Sequence, residues 1–271
     1  MIGVFDSGLG GLTVLSEIKK KLPEYSYLYY GDTLHVPYGP RSDEAIYELS
    51  KKACDFLFEK GCKLIIVACN TASAKGLRRL QTEYLVEKRK ESNNLKEPIN
   101  ILGVIRPVVE EVVGISKGRI GVIGTKGTVE SGIYKEECKV EREKIKVIQT
   151  ATPMLVPFIE EGLAGRKELK SILRYYLRDL KRETVDTLIL GCTHYPLIIR
   201  QIRGIMGKNC FVPNPAEIVA RKFEEYLRKH GEIESVLDKG KDTEYFVTDV
   251  NDNFRRMAGR FLGKRIELEK V

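Results

Sequence analysis

The chain has 271 residues, 42% of them apolar and 31% charged, the make-up of a globular protein of one large or two modest domains. No run approaches the ~18 apolar residues of a membrane span, and no basic segment leads into an apolar core at the N-terminus. A membrane span and a secretory leader are therefore not expected, and a cytoplasmic location is. The formal charge of +8 comes from basic residues scattered among acidic ones, as over residues 139–146 and where Lys88-Arg89-Lys90 lies between Glu87 and Glu91. Without interleaved aromatics such charge reads as a solvated surface and not as a nucleic-acid track, although a positive field favours anionic substrates.

In chain order, residues 2–5 read as a strand and 12–21 as an amphipathic helix, followed by a second strand at 27–30. Ser42 is placed to cap a helix running to Lys60, with Ala45, Ile46, Leu49, Ala53, Phe56 and Leu57 on its buried face and Gly61 ending it. Residues 64–68 form the next strand, and a helix follows from about Ala72. The polar stretch 87–98, with Ser92-Asn93-Asn94 and a proline, reads as the domain boundary. Beyond it come strands at 101–104, 120–123, 145–149 and 187–190, with helices at 131–139 and 166–182. The tail carries a helix at 216–230, a strand at 244–247 and a helix at 252–262. The fold class is α/β, with parallel sheets covered by helices.

Two of these strands end alike. Leu64-Ile65-Ile66-Val67-Ala68 runs into Cys69-Asn70-Thr71, and Leu188-Ile189-Leu190-Gly191 runs into Cys192-Thr193-His194. Each apolar run suits a buried parallel strand. A second pair matches too: Ile2-Gly3-Val4-Phe5-Asp6-Ser7-Gly8 and Ile120-Gly121-Val122-Ile123-Gly124-Thr125. Asp6 precedes Cys69 by 63 residues and Gly124 precedes Cys192 by 68, which argues for two related halves. In open α/β sheets ligands bind beyond the carboxyl ends of the strands, where all four motifs fall. Two thiols meeting one substrate carbon from opposite sides point to two-base proton transfer, and so to racemisation.

Several features are weighed against other chemistries. Gly8-Leu9-Gly10-Gly11-Leu12-Thr13 lacks the last glycine of a dinucleotide fingerprint and any following Gly-Lys-Ser/Thr, so its glycines are expected to allow a tight turn and close backbone approach to a ligand. Cys192 and His194 could be two zinc ligands, but no CxxC or HExxH supplies a third. No metal and no cofactor is expected. Cys54, Cys62, Cys138 and Cys210 read as packing cysteines in reduced form, and His35 and His230 as surface residues.

Five blocks together resemble the glutamate racemases of the cofactor-independent aspartate/glutamate racemase superfamily: Gly3-Val4-Phe5-Asp6-Ser7-Gly8 with Gly10-Gly11-Leu12-Thr13-Val14; Gly31-Asp32 with Pro37-Tyr38-Gly39 and Arg41-Ser42; Val67-Ala68-Cys69-Asn70-Thr71-Ala72-Ser73-Ala74; Val122-Ile123-Gly124-Thr125; and Leu190-Gly191-Cys192-Thr193-His194-Tyr195-Pro196-Leu197. The resemblance implies two pseudo-symmetric α/β domains with the active site between them: residues 1–97 plus 211–271 on the Cys69 side, and 98–210 on the Cys192 side. It implies Cys69 and Cys192 as paired acid/bases assisted by Asp6 and His194, with Glu160 orienting His194. Asp6, Ser7, Asn70, Thr71, Thr125, Thr193 and His194 would meet the substrate around its amino-acid head, and Tyr38 and Gly39 would hold its side-chain carboxylate. The implied partners are L- and D-glutamate and a second copy in a homodimer, and the implied role is supply of D-glutamate for peptidoglycan. Three positions depart from the family pattern: Thr152 where cysteine is frequent, Arg106 where an acidic residue is common, and Asn214-Pro215-Ala216 in place of an Asp-Ser-Ala-like segment.

Three rival readings remain. One is a racemase or isomerase for aspartate or another small acid. Another is a thiol hydrolase with Cys192 as nucleophile and His194 as base; it leaves Cys69 unexplained, and side chains two residues apart on a loop are expected to diverge. The third is a nucleic-acid module, which rests on charge alone.

Overall fold

The computed structural model describes residues 1–91, 98–250, 252–263 and 266–271. The stretch Ser92-Asn93-Asn94 lies outside them. Every paired strand is parallel, and they form two sheets. The larger has the order β4-β3-β1-β2-β8-β9, built from β1 (Ile2–Asp6), β2 (Tyr27–Gly31), β3 (Leu64–Val67), β4 (Asn100–Gly103), β8 (Thr243–Val247) and β9 (Glu269–Lys270). The smaller has the order β6-β5-β7, from β5 (Arg119–Gly124), β6 (Lys146–Ala151) and β7 (Thr187–Gly191). All residues of β1, β2, β3 and β7 are buried, as their unbroken apolar runs require of strands covered on both faces.

The duplication seen in the motifs is visible in the sheets. In one, β1 lies between β3 and β2; in the other, β5 lies between β7 and β6. Phe5 pairs with Val67, and Gly124 with Gly191. Ser7 and Thr125 thus leave equivalent central strands, and Cys69 and Cys192 leave equivalent neighbours.

Three helices position the first half of the site. Helix α1 (Gly11–Lys21) buries Leu12, Leu15 and Ile18 and ends in three lysines, which suit the negative end of its dipole. Helix α2 (Asp43–Glu59) is capped by Ser42, which accepts from the Ala45 amide at 3.3 Å; Gly61, at φ +86°, closes it in a conformation that glycine adopts freely. Its buried face runs through Ile46, Tyr47, Ser50, Ala53, Cys54 and Leu57, so Ala45, Leu49 and Phe56 are only half-buried. Helix α3 (Asn70–Lys75) begins two residues before the expected Ala72. Cysteine is not a usual cap, and nothing in the residue types marks the earlier start.

One strand belongs to the other sheet than its place in the sequence suggests. The resemblance implies residues 98–210 together on the Cys192 side, yet β4 pairs with β3, Ile101 opposite Ile65. A short apolar run encodes burial and not its partner, and the helical stretch 77–91 carries the chain back to set β4 beside β3. At the other end of that span, Phe211 exchanges hydrogen bonds with Asp186 and Leu188 and so extends the smaller sheet by one residue. The tail joins the larger sheet through β8, in line with the resemblance. A helix at Ile105–Ile115, for which the sequence offers no capping residue, packs beside Pro215–Lys229.

Candidate active site

Cys69 sits at the carboxyl end of β3 and at the N-cap position of α3, 5% exposed. Its thiol approaches Ser7 Oγ at 3.5 Å. Burial, and next the Asp6 carboxylate, push the thiol up to about 12, while Ser7, the Ala72 amide and Cys192 make smaller contributions. At neutral pH this sulfur carries its proton. That the charge of Cys192 reaches Cys69 places the two thiols in one electrostatic neighbourhood.

Cys192 follows β7 and is 6% exposed. Its sulfur lies 3.7 Å from His194 Nδ1, and His194 Nε2 lies 2.9 Å from Glu160 Oε1. The expected divergence of residues two apart is thus wrong here: the chain turns tightly after β7, with the Tyr195 amide bonding to the Cys192 carbonyl at 3.1 Å, and folds the imidazole back over the sulfur. Burial opposes the imidazolium, but the contacts with Cys192 and Glu160 outweigh it and hold His194 well above the ordinary histidine value. Glu160 ends the short helix Leu155–Glu160 and reaches His194 from a separate element. A cationic imidazole is the neighbour a thiolate needs.

Asp6 is fully buried at the end of β1. Its Oδ1 accepts from the Gly8 amide at 2.9 Å and its Oδ2 from Thr193 Oγ1 at 3.2 Å. Burial raises its pKa above the usual carboxyl value, although His194 and the amides of Gly8 and Gly11 pull the other way. One carboxylate therefore joins the two halves. The glycines beside it serve the same junction. A Cβ on Gly10 would stand 2.1 Å from Thr193 Oγ1 and 2.6 Å from His194 Nδ1, and one on Gly11 would stand 2.4 Å from the Cβ of Asp6. Their close approach is to the protein's own side chains, where a ligand was expected.

The remaining expected residues surround this centre. Thr71 and Thr125 hydroxyls lie 2.9 Å apart, each within reach of Thr128 Oγ1, at 3.3 and 3.0 Å respectively. Asn70 Oδ1 accepts from the buried Tyr134 hydroxyl at 2.6 Å, which leaves the amide donors of Asn70 for a carboxylate. Gly39 abuts Thr125, where a Cβ would come within 3.2 Å of the threonine Cβ. Tyr38 is buried, and its hydroxyl donates to Asp32 Oδ2 at 2.6 Å.

The sequence reading missed Tyr134, Asp32 and Thr13, whose hydroxyl donates to the Thr193 carbonyl at 2.9 Å. Thr13 stands within a quoted motif, but its partner is 180 residues away. His35, read as a plain surface residue, is part-buried with its ring 2.7 Å from Asp32. The three departures lie outside the thiol centre. Thr152 donates to the Gly124 carbonyl at 3.0 Å and meets the Tyr195 hydroxyl at 2.5 Å. Arg106 is exposed and pairs with Glu110 at 3.1 Å. Asn214 caps Pro215–Lys229 by accepting from the Ala216 amide at 3.1 Å. Cys54, Cys62, Cys138 and Cys210 are buried, and burial raises the pKa of each thiol. Among the described residues, no group of three or more His, Cys, Asp or Glu is disposed to hold a metal ion, and no helix is long and apolar enough to cross a membrane.

Known proteins are similar to this chain over nearly their whole length. The chain is 40% identical over 266 residues to a glutamate racemase of Geobacter metallireducens, covering 98% of this chain and 93% of that one. Its structure superposes on glutamate racemase isoform RacE1 from Bacillus anthracis with a TM-score of 0.87 at 34% identity, covering 100% and 97% of the two chains. It superposes on glutamate racemase from Francisella tularensis, solved in complex with D-glutamate, with a TM-score of 0.85 at 29% identity, covering 100% and 96%. The sequence pattern of Asp/Glu/hydantoin racemases matches residues 7–220, and with these relatives it makes the chain a member of that racemase family.

Proposed function

We propose that the chain interconverts L- and D-glutamate by a two-thiol proton transfer that draws on no cofactor. The observation that carries this reading is the pair of buried thiols at equivalent strand ends of the two sheets, within electrostatic reach of each other and supported by different groups. Glutamate as the substrate rests on the names of the relatives and on the D-glutamate complex of one of them.

An amino-acid α-proton leaves only if the developing carbanion is stabilised. Here that task falls to a water-poor site with hydrogen-bond donors aimed at the carboxylate. The amide of Asn70 and the hydroxyls of Ser7, Thr71 and Thr125 are such donors, while the Thr193 hydroxyl is given to Asp6. Starting from L-glutamate, Cys192 takes the α-proton as a thiolate beside charged His194, and Cys69, protonated at rest, delivers a proton to the opposite face. Starting from D-glutamate, Cys69 must first lose its proton, with Asp6 as the charged group that acts on it most strongly, and Cys192 then acts as the acid. Each turnover moves one proton from substrate to one sulfur and one from the other sulfur to product, so charge and protons balance. The D-glutamate formed would feed peptidoglycan synthesis, from a homodimer in the cytoplasm.

The row Cys192–His194–Glu160 also has the order of a thiol hydrolase triad, nucleophile to base to orienting carboxylate. That reading gives Cys69 nothing to do. One experiment separates the two: incubate the protein with each enantiomer of glutamate and of aspartate and follow circular dichroism. Loss of optical activity with glutamate, and much slower change with aspartate, is the expected result. Turnover of aspartate at the glutamate rate, or hydrolysis of a thioester with no racemisation, would overturn the proposal.

A further inference from the structure

The strap 36–39 carries Tyr38 and Gly39, the two residues that the resemblance implies as holders of the substrate's side-chain carboxylate. Its anchoring is particular. Asp32 is 2% exposed, and its carboxylate accepts from three side chains: Tyr38 Oη at 2.6 Å, Thr248 Oγ1 at 2.9 Å and, across a 2.7 Å contact, the ring of His35. The turn that bears it is clamped from the tail of the chain. The Leu34 amide donates to Thr248 Oγ1 at 2.9 Å, Thr33 Oγ1 donates to the Asp249 carbonyl at 2.6 Å, and the Asp249 amide returns a bond to Thr33 Oγ1 at 2.8 Å. Tyr38 is buried and its ring packs on Phe5 at 6.3 Å between centroids. Its hydroxyl proton is given to Asp32, so the donor it keeps for an anionic ligand is its main-chain N–H.

We infer that Asp32 is a positioning residue: by holding the Tyr38 phenol it sets the main chain of Tyr38-Gly39 at the height where backbone N–H groups meet the distal carboxylate of the substrate, against Thr125 on the facing half. The inference deepens the glutamate reading and rests on it for the identity of the bound carboxylate. The anchoring itself does not. A charge-assisted hydrogen bond to a buried carboxylate is among the strongest available to a side chain, and a strap without it is free to wander by more than a ligand contact tolerates.

The test uses Asp32→Ala, Asp32→Asn and Tyr38→Phe in the full chain. Racemisation kinetics in both directions are measured, together with amide exchange of the peptide spanning 36–41 by mass spectrometry. Asp32→Ala, which removes the acceptor of all three bonds, should raise KM by about tenfold or more with kcat changed far less, the loss of the charged bond to Tyr38 being the part that reaches the substrate. Asp32→Asn, which keeps an acceptor for the phenol, should recover part of that loss. Tyr38→Phe should reproduce most of the Asp32→Ala rise in KM and add nothing to it in the double variant. Exchange over 36–41 should speed up in Asp32→Ala and in Tyr38→Phe. If Asp32→Ala does not fold, the other two variants carry the comparison. A fall in kcat with KM unchanged, or independent effects that add in the double variant, would overturn the positioning role. Unchanged exchange in both folded variants would overturn the anchor. If the parent protein leaves glutamate untouched while exchange still responds, the substrate reading fails and the anchor stands.

Discussion

Gly10→Ala tests whether the two halves meet as tightly as the site requires. The added methyl would start 2.1 Å from Thr193 Oγ1, 2.6 Å from His194 Nδ1 and 2.8 Å from His194 Cε1. Ordinary contact begins at 3.4 Å, so Thr193 has to retreat by about 1.3 Å and the imidazole by about 0.8 Å, or α1 must shift as a body. Neither neighbour is a loose end. Thr193 Oγ1 is bonded to Asp6 and its carbonyl to Thr13, and His194 is held between Cys192 and Glu160. Overpacking of this kind costs about 1–3 kcal/mol, or roughly 2–10 °C in Tm for a chain of this size. The cost to catalysis is larger, since a displacement of ~1 Å in a reacting group lowers rates by about 100-fold. The assay is circular dichroism of glutamate racemisation beside a thermal melt. Gly114→Ala is the control: it lies in the helix Ile105–Ile115, a Cβ there meets nothing within 4 Å, and it should hold or slightly raise Tm with activity intact. A Gly10→Ala protein with the parent's kcat would refute the account of how Thr193 and His194 are set.

Cys69→Ala and Cys192→Ala should each nearly abolish racemisation in both directions, and in heavy water the intact protein should place deuterium chiefly in the product enantiomer; an active single-thiol variant, or deuterium washed into recovered substrate at initial rates, would end the two-thiol mechanism. Asp6→Asn should melt higher than the parent at pH 8 and lose activity. Because burial raises the folded-state pKa of Asp6, its contribution to stability is present below the ordinary carboxyl value and is lost as pH rises through the folded one, so the gap in Tm should close toward pH 4. A parent that melts at or above Asp6→Asn at pH 8 would contradict this. Glu160→Gln removes a charge-assisted bond of about 1.5–3 kcal/mol from His194. Its imidazolium should then deprotonate at lower pH, which moves the alkaline limb of kcat for L-glutamate downward in pH; an unmoved limb would detach Glu160 from the proton path.

Much of the fold was legible because buried parallel strands write themselves as unbroken apolar runs, and both cysteines close such a run. The resemblance of the two halves survived in the same way, through Asp6-Ser7 and Gly124-Thr125 at matched distances from Cys69 and Cys192. Sheet membership was not legible for β4, since Ile101 and Leu102 signal burial equally well in either sheet. Nor was the fold-back of His194 onto Cys192, which depends on the turn after β7 and on Glu160 arriving from another helix. The spacing of Gly10 and Gly11 was visible, but what they make room for was not: their neighbours Thr193 and Asp6 are brought up by packing of the two halves. Tyr134 gave no local sign of its bond to Asn70, 64 residues away.

The frame of the site is two-fold, yet its chemistry is not. Equivalent strand ends present Cys69 to a hydroxyl and helix amides, with a carboxylate nearby, and Cys192 to an imidazolium backed by a second carboxylate. Enantiomers have equal free energies in an achiral solvent, so kcat/KM must be the same from either side whatever the thiols' surroundings. The asymmetry can therefore appear only in how each direction divides that ratio between kcat and KM. Cys69 holds its proton at rest, so the D-glutamate complex must lose it before chemistry begins, whereas His194 already carries the charge that a Cys192 thiolate needs. The expected order is a higher kcat in the L direction at neutral pH with a matching difference in KM, measured by initial rates from each enantiomer. The same reasoning fixes what the variants can do. Glu160→Gln has to lower kcat/KM equally in both directions even where it lowers kcat unequally, and a progress curve run to completion from either enantiomer must still end at zero optical activity. An end point elsewhere would mean that a second reaction, not racemisation alone, consumes one hand of the substrate.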